Sequence, residues 1–451
     1  MRRSLPVHGR SYYRVPTVAS NPADQANNMA RNQKDMAVLL LLFQLLGVTH
    51  GLDNGVGRTP VLGWNTWMTC APGDALCGHD VCNEAEVRAA AQAMKANGMQ
   101  ALGFNYVNLD DCWAQTQRND TDGRLMWDTQ RFPSGLPALI DWLHEQGFRF
   151  GLYTSAGNET CSSGGRPGRV PGSRGHFELD AQTFADWKVD YVKLDWCGDI
   201  KKQLLQGKQA HQQFAAAMNA SGRAMFLEVV AGYWFLGADI ASVSNSWRFC
   251  EDHKDTWAKT SEEVACRVDQ LKDATGGPGG WAFMDFLMTG GAGCPTGAHC
   301  PGMTDDEYRT EFSLWALTQS PLIVATDVTQ LTPVMKQALL NEEILRMHQS
   351  TATPPGGHLA DWLCDEPLKC RIWGRKLAID GSDWMVALVN MGSKSHDITV
   401  KWSKLGWSDG AQAAVRDLWQ HAPLPNVSKA FTASVPSHGT VLVRMTRNSR
   451  S

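Results

Sequence analysis

The stretch Tyr191-Val-Lys-Leu-Asp-Trp-Cys197 sets a cation and a carboxylate two residues apart. Alternate residues of an extended chain share a face, so Lys193 and Asp195 point the same way. The apolar, β-branched run around them predicts a short buried strand that delivers Asp195 at its C-terminal end. Taken alone, Asp195 reads equally well as the cap of a following helix. The pattern recurs, however: Trp67, Asp110, Asp111, Tyr153, Arg248 and Asp285 each close another short apolar run. Singly these have plain readings too, with Asp110 and Asp111 as a turn, Arg248 as half of an ion pair and Trp67 as core. They become one site if their strands lie parallel, because the C-terminal ends then converge. Carboxylates and aromatic walls, with no His or Cys at metal-ligand spacing, suit cleavage of a glycosidic bond. One carboxylate attacks and another donates a proton across an oxocarbenium-like transition state. Lys193 would keep Asp195 ionised, and Asp110 and Asp111 would accept hydrogen bonds from adjacent sugar hydroxyls. Neither a metal nor a cofactor is implied.

The intervening sequence predicts elements that would arrange the strands in this way. Strands are expected at 62–67, 104–111, 148–153, 191–195, 224–229, 244–249, 280–285 and 321–325. Helical patterns fall at 84–97, 136–146, 181–187, 208–220, 262–274, 305–320 and 332–340. Asn83 is a cap and Gly98 a stop for the first of these. Such alternation predicts a (β/α)8 TIM barrel over residues 52–349. After Gln349 a Pro-Pro-Gly-Gly stretch intervenes, and short alternating segments at 370–373, 384–390, 398–402, 413–419 and 440–445 predict a C-terminal antiparallel β-sandwich domain over 350–451.

Composition narrows the class. A net charge of −4 gives no polyanion-binding surface, which argues against nucleic acid as a partner. Eighteen tryptophans suit both a core and sugar stacking. Residues 1–51 read as a polar extension with a signal peptide, the apolar run Met36–Val48 being too short to span a bilayer and cleavage falling near Gly51. Twelve cysteines, several close together, suit an oxidising compartment. Glycosylation sequons stand at Asn119, Asn158, Asn219 and Asn426. The expected destination is the secretory pathway, ending outside the cell or in a lysosome or vacuole.

Seven ordered motifs carry a resemblance: Leu62-Gly-Trp-Asn-Thr-Trp67, Leu109-Asp-Asp-Cys-Trp113, Asp122-Gly-Arg124, Arg131-Phe-Pro-Ser-Gly135, Asp180-Ala-Gln-Thr-Phe-Ala-Asp-Trp187, Lys193-Leu-Asp-Trp-Cys197 and Gly277-Pro-Gly-Gly-Trp281. They resemble glycoside hydrolase family 27, which holds α-galactosidases (melibiases) and α-N-acetylgalactosaminidases. The resemblance implies a retaining, exo-acting enzyme for terminal α-galactosyl residues, without cofactor; no stable membrane span is expected, and a homodimer is one candidate assembly. It implies Asp195 as nucleophile and Asp252, in Trp247-Arg-Phe-Cys-Glu-Asp252, as acid/base. Arg248 would meet the sugar's 2-position, Asp110 and Asp111 the 4- and 6-hydroxyls, and Lys193 the 3- and 4-hydroxyls. Trp67 and Tyr153 would form the wall, and Asp285 is kept from the family's motif after Gly-Gly-Trp. Disulfides Cys70–Cys112, Cys77–Cys82 and Cys161–Cys197 follow from the same likeness, as does an acidic working pH, since Asp252 must begin protonated.

Three departures bear on the sugar. Ala282-Phe-Met-Asp285 keeps only the last residue of the usual motif. Phe226-Leu-Glu-Val-Val-Ala-Gly-Tyr233 lacks the family's usual strand end, which reads the 2-substituent. Trp196 replaces a smaller or polar residue beside the nucleophile. An α-N-acetylgalactosaminidase, a β-L-arabinopyranosidase and a non-catalytic sugar-binding protein therefore stand as alternatives.

Overall fold

The structure, a computed structural model, describes residues 54–69, 82–161, 169–201, 203–230, 237–269, 276–293, 300–362, 364 and 370–448. The signal-peptide reading, Cys70, Cys77, Cys294 and residues 231–236 lie outside the described residues.

Eight short parallel strands form the barrel: β1 (Leu62–Asn65), β2 (Tyr106–Asn108), β3 (Arg149–Ser155), β4 (Tyr191–Asp195), β5 (Phe226–Val229), β6 (Ser246–Arg248), β7 (Gly280–Phe283) and β8 (Leu322–Val324). Each pairs with the next from β1 to β7, and β8 returns to pair with β1. A parallel bridge between Leu287 and Val324 closes the ring beyond β7. The alternation of β4 shows why. Val192 and Leu194 face outward into the core shared with Phe184 and Phe214 of the surrounding helices. Tyr191 faces inward with Tyr106, Phe226 and Ile323. A strand covered on both faces reads as a continuous apolar run, and only an inward residue at its end can carry charge to solvent.

The helices on the outside are α1 (Glu84–Ala96), α2 (Leu136–Glu145), α3 (Phe177–Asp186), α4 (Leu204–Ala220), α5 (Ile240–Val243), α6 (Trp257–Asp269), α7 (Asp305–Leu317), α8 (Pro333–Leu339) and α9 (Glu342–Gln349). Asn83 caps α1 by accepting from the Glu86 N–H at 3.0 Å, as its sequence predicts. Thr304 and Glu307 form a reciprocal capping box on α7. Three helices, α3, α4 and α6, start earlier than the apolar pattern suggests. For α6 the reason is Thr256, whose hydroxyl accepts from the Lys259 N–H and fixes the first turn ahead of the expected Glu262. α3 begins at Phe177, which packs on Phe214.

The C-terminal strands are β9 (Gly357–Trp362), β10 (Cys370–Lys376), β11 (Asp383–Val389), β12 (His396–Lys401), β13 (Gln412–Asp417), β14 (Ala422–Ser428), β15 (Ala430–Val435) and β16 (Thr440–Arg447). Six form an antiparallel sheet in the order β9-β10-β11-β16-β13-β14, and β12 pairs with β15 in the second sheet. The sandwich thus contains three strands the sequence pattern hides. β14 holds Pro423 and Pro425, which argue against a strand, yet it lies at the sheet edge where missing N–H groups cost little. β11 is buried along its whole length. Val386 and Leu388 face the sandwich core, while Met385, Ala387 and Val389 join the core of the barrel helices. One apolar cluster therefore runs unbroken from barrel to sheet. Among the described residues no helix is long and apolar enough to cross a membrane.

Arg375 on β10 fixes the join. Its guanidinium is 1% exposed and donates to the carbonyls of Met347, Ser350, Thr353 and Pro354. The stretch that reads as a linker is thus held by one buried cation. Arg375→Met would leave those carbonyls unpaired in the interior and is expected to cost at least ~3 kcal/mol. Chemical denaturation reads the loss, and an unchanged midpoint would contradict this role.

Candidate active site

The C-terminal strand ends meet in one cavity of about 290 Å³. Trp67, Asp110, Tyr153, Lys193, Asp195, Arg248, Asp252 and Asp285 all line it. Asp111, the ninth residue picked out from sequence, is buried beside Asp110 and donates its N–H to Asp110 Oδ1 at 2.9 Å.

Asp195 ends β4. Its Oδ2 accepts from the Tyr153 hydroxyl at 2.8 Å and its Oδ1 from the Trp196 N–H at 2.7 Å. Burial raises the Asp195 carboxyl above the usual aspartate range, while Lys193, the Trp196 N–H and the Tyr153 hydroxyl pull it back. The Tyr153 phenol, buried and facing three aspartates, is held far above its ordinary pKa, so it remains a donor.

Lys193 stands inward on the same strand and contacts Asp110 Oδ2 at 2.8 Å. Aromatic rings of Trp67, Tyr153 and Phe286 surround its ammonium at 5.4, 5.4 and 4.6 Å from their centroids. Burial disfavours this charge, but Asp110, followed by Glu228, Asp195 and Asp285, holds its pKa above the ordinary lysine value. Asp110 is anchored from behind, its N–H donating to the Thr66 hydroxyl at 3.0 Å.

Arg248 ends β6 and divides its guanidinium between two aspartates. Nη1 reaches Asp252 and Nη2 reaches Asp285, each at 2.9 Å. Asp285 is buried in left-handed backbone at φ 66°. That conformation is uncommon outside glycine. Here it is held by the Trp315 indole N–H on its carbonyl and by the His253 N–H on its carboxylate, both at 2.8 Å. Asp252 differs: its side chain is 64% exposed, at the rim. Arg248 holds its carboxyl below the usual aspartate range. Without a ligand, that contact favours the ionised form of Asp252.

Disulfides clamp the loops on both sides. Cys161–Cys197 forms as expected and fastens the loop two residues past Asp195. Gly157 passes so close to the Cys197 carbonyl that no side chain fits there. Cys250–Cys266 ties the residue two before Asp252 to α6; it was missed because spacing alone does not assign partners. The expected Cys70–Cys112 and Cys77–Cys82 pairs are replaced by Cys82–Cys112, at a Cα separation of 6.2 Å. Arg131 brings the start of α1 against the end of the β2 loop, since the Glu84 N–H donates to the Arg131 carbonyl and Arg131 donates to the carbonyls of Cys82 and Cys112. The remaining described bridge is Cys364–Cys370. Sequence reasoning also passed over Phe286, Val230 and Glu228. The first two sit on the cavity wall, and Glu228 lies below it in the middle of an apolar strand, without any local signal of a site.

Carboxylates of unlike environment lining one cavity together with Lys193 and Arg248 suit a barrel that cleaves carbohydrate. Comparison with known proteins agrees. The chain matches the family described as Alpha galactosidase A over residues 59–350, and the Alpha galactosidase C-terminal beta sandwich domain over 369–445. It is 35% identical over 400 residues to an α-galactosidase of Cyamopsis tetragonoloba, covering 88% of each chain. Its identity to an α-galactosidase of Coffea arabica is 34% over 398 residues, with 88% of this chain and 96% of that one covered. The crystal structure of α-galactosidase I from Mortierella vinacea superposes with a TM-score of 0.72 at 27% identity, over 88% of this chain and 100% of that one. The chain belongs to the α-galactosidase (melibiase) family, glycoside hydrolase family 27.

The Tyr153 hydroxyl stabilises the ionised form of Asp195. Tyr153→Phe removes that donor, so the carboxylate is disfavoured and its pKa rises further. The acid-side limb of hydrolysis is then expected to move about 0.5–1 pH unit upward. A rate–pH profile reads it, and a stationary limb would contradict the assignment.

Proposed function

We propose that this chain is a retaining, exo-acting α-galactosidase that releases terminal α-D-galactosyl residues from oligosaccharides, glycolipids or glycoproteins by double displacement. Asp195 attacks the anomeric carbon and the aglycone oxygen leaves with a proton from Asp252. Asp252 then takes a proton from water, which attacks the glycosyl-enzyme and frees Asp195. The observation that carries the reading is the contrast between the two carboxyls: Asp195 is sunk among fixed donors, and Asp252 stands at the open rim on Arg248. An anchored nucleophile and a mobile proton carrier need those two environments.

Arg248 also explains how Asp252 becomes an acid. A sugar hydroxyl that accepts from Arg248 displaces Asp252 from the guanidinium, and the aglycone covers it from water. Both changes raise its pKa. Lys193 and Asp110 supply a paired donor and acceptor for adjacent hydroxyls, with Asp111 behind them. Trp67 gives an apolar wall to the sugar's carbon face. The cavity has room for one terminal residue, which suits exo action. The four disulfides among the described residues suit an oxidising compartment, which supports a place in the secretory pathway, secreted or in a vacuole or lysosome.

One observation favours a second reading. Val230, beyond the end of β5, puts an apolar side chain on the cavity wall, where an acetamido methyl at the 2-position would be tolerated. An α-N-acetylgalactosaminidase is therefore the alternative substrate assignment. A panel of p-nitrophenyl glycosides decides. The α-galactoside is expected to be the best substrate, and Asp195→Asn to lose at least ~10³-fold in kcat. A faster α-N-acetylgalactosaminide moves the assignment to the second sugar, and hydrolysis of neither refutes the enzyme reading.

A further inference from the structure

We propose that Glu228 is a positioning residue beneath the sugar: neutral, it leaves the Lys193 ammonium to Asp110 and the ligand, and ionised, it draws that ammonium down and weakens galactose binding. The inference rests on the function proposed above, but no step of the hydrolysis uses Glu228.

Glu228 lies on β5, in register with Lys193 on β4 and with Ser246 on β6. It is fully buried. One carboxyl oxygen accepts from the Tyr191 hydroxyl. The other, Oε1, has no hydrogen-bond partner among the described residues, and neither has Ser246 Oγ. Around it, Tyr191 stacks on Phe226 with ring centroids 4.9 Å apart, and Tyr106 packs edge-on against Tyr191. The Tyr191 hydroxyl is the one hydrogen-bond donor to this carboxyl among the described residues, so burial disfavours its charged form.

The charged and titratable groups facing it come from four elements. Lys193 and Tyr191 belong to β4, Arg248 to β6 and Asp285 to the segment after β7, with Tyr106 of β2 behind Tyr191. Burial pushes the Glu228 carboxyl up to about 7, while Lys193, the Tyr191 hydroxyl and Arg248 restrain the rise and Asp285 adds to it. In an acidic compartment the group is neutral, and Lys193 has one strong partner, Asp110 at 2.8 Å. As pH rises through neutrality, Glu228 gains a charge directly across the strand pair from Lys193. The ammonium then has a competing carboxylate on the side away from the sugar. A group that only filled space at this position would give the ligand affinity no such pH dependence.

The test is the inhibition constant of free galactose against p-nitrophenyl hydrolysis, measured from about pH 5 to about pH 9. Wild type is expected to bind galactose at least about threefold more weakly at the alkaline end. Glu228→Gln keeps size and the Tyr191 hydrogen bond but does not ionise, and its inhibition constant is expected to stay flat while the alkaline fall in kcat remains. If Glu228→Gln keeps the wild-type rise, or wild type shows none, the inference is overturned. Should Glu228→Gln fail to fold, Tyr191→Phe decides. Losing the hydroxyl disfavours the ionised form, so the rise must shift to higher pH, and an unmoved rise overturns the inference. A protein that neither cleaves galactosides nor binds galactose at any pH refutes the function itself. Normal hydrolysis with pH-independent galactose binding refutes only the role of Glu228.

Discussion

The buried ion pair between Lys193 and Asp110 is the constraint on which the site depends. Lys193 stands on β4 and Asp110 two residues past the end of β2, with β3 between those strands, so the pair forms only when three parallel strands are in register. Breaking a buried pair on one side strands the other charge in a medium that does not solvate it. The pair is therefore both an index of correct barrel assembly and the feature that makes the cavity polar. Three aromatic rings flank the ammonium and limit its contact with water.

Around that pair the carboxylates divide by depth. Asp195 and Asp285 are held by backbone N–H groups and buried side chains, which fixes position at the cost of desolvation. Asp252 is held by a single side chain, Arg248, and is otherwise open. The bridges Cys161–Cys197 and Cys250–Cys266 fasten loops whose residues differ in this way, one two positions after Asp195 and the other two positions before Asp252. Rigid loops thus carry one side chain that stays and one that can move. Arg248 joins the two behaviours, because its second contact, to buried Asp285, anchors the guanidinium whatever Asp252 does.

How much of this the sequence revealed follows from where each residue sits. Asp195 was legible because a charge at the end of an apolar run breaks the pattern, and the same held for Asp110, Arg248 and Asp285. Their convergence was legible because alternating strands and helices leave few arrangements. Glu228 also breaks an apolar run, but in the middle of β5, where a lone acid gives no hint of a neighbour supplied by β4. Cys250–Cys266 and Cys82–Cys112 were hidden because pairing is a property of folded distances. β14 was hidden by its prolines, which only its edge position makes harmless. The Arg248–Asp252 contact was out of reach for a similar reason. Four residues separate the two, but whether their side chains meet depends on the turn fixed by Cys250.

Double displacement requires a covalent bond between Asp195 and the sugar. A fluorinated galactosyl fluoride, which slows breakdown of a glycosyl-enzyme more than its formation, tests it directly when followed by intact-mass measurement and peptide mapping. One added glycosyl mass, located on the peptide that carries Asp195, is the expected result. A label on another carboxylate, or turnover of the reagent with inversion and no adduct, would contradict it.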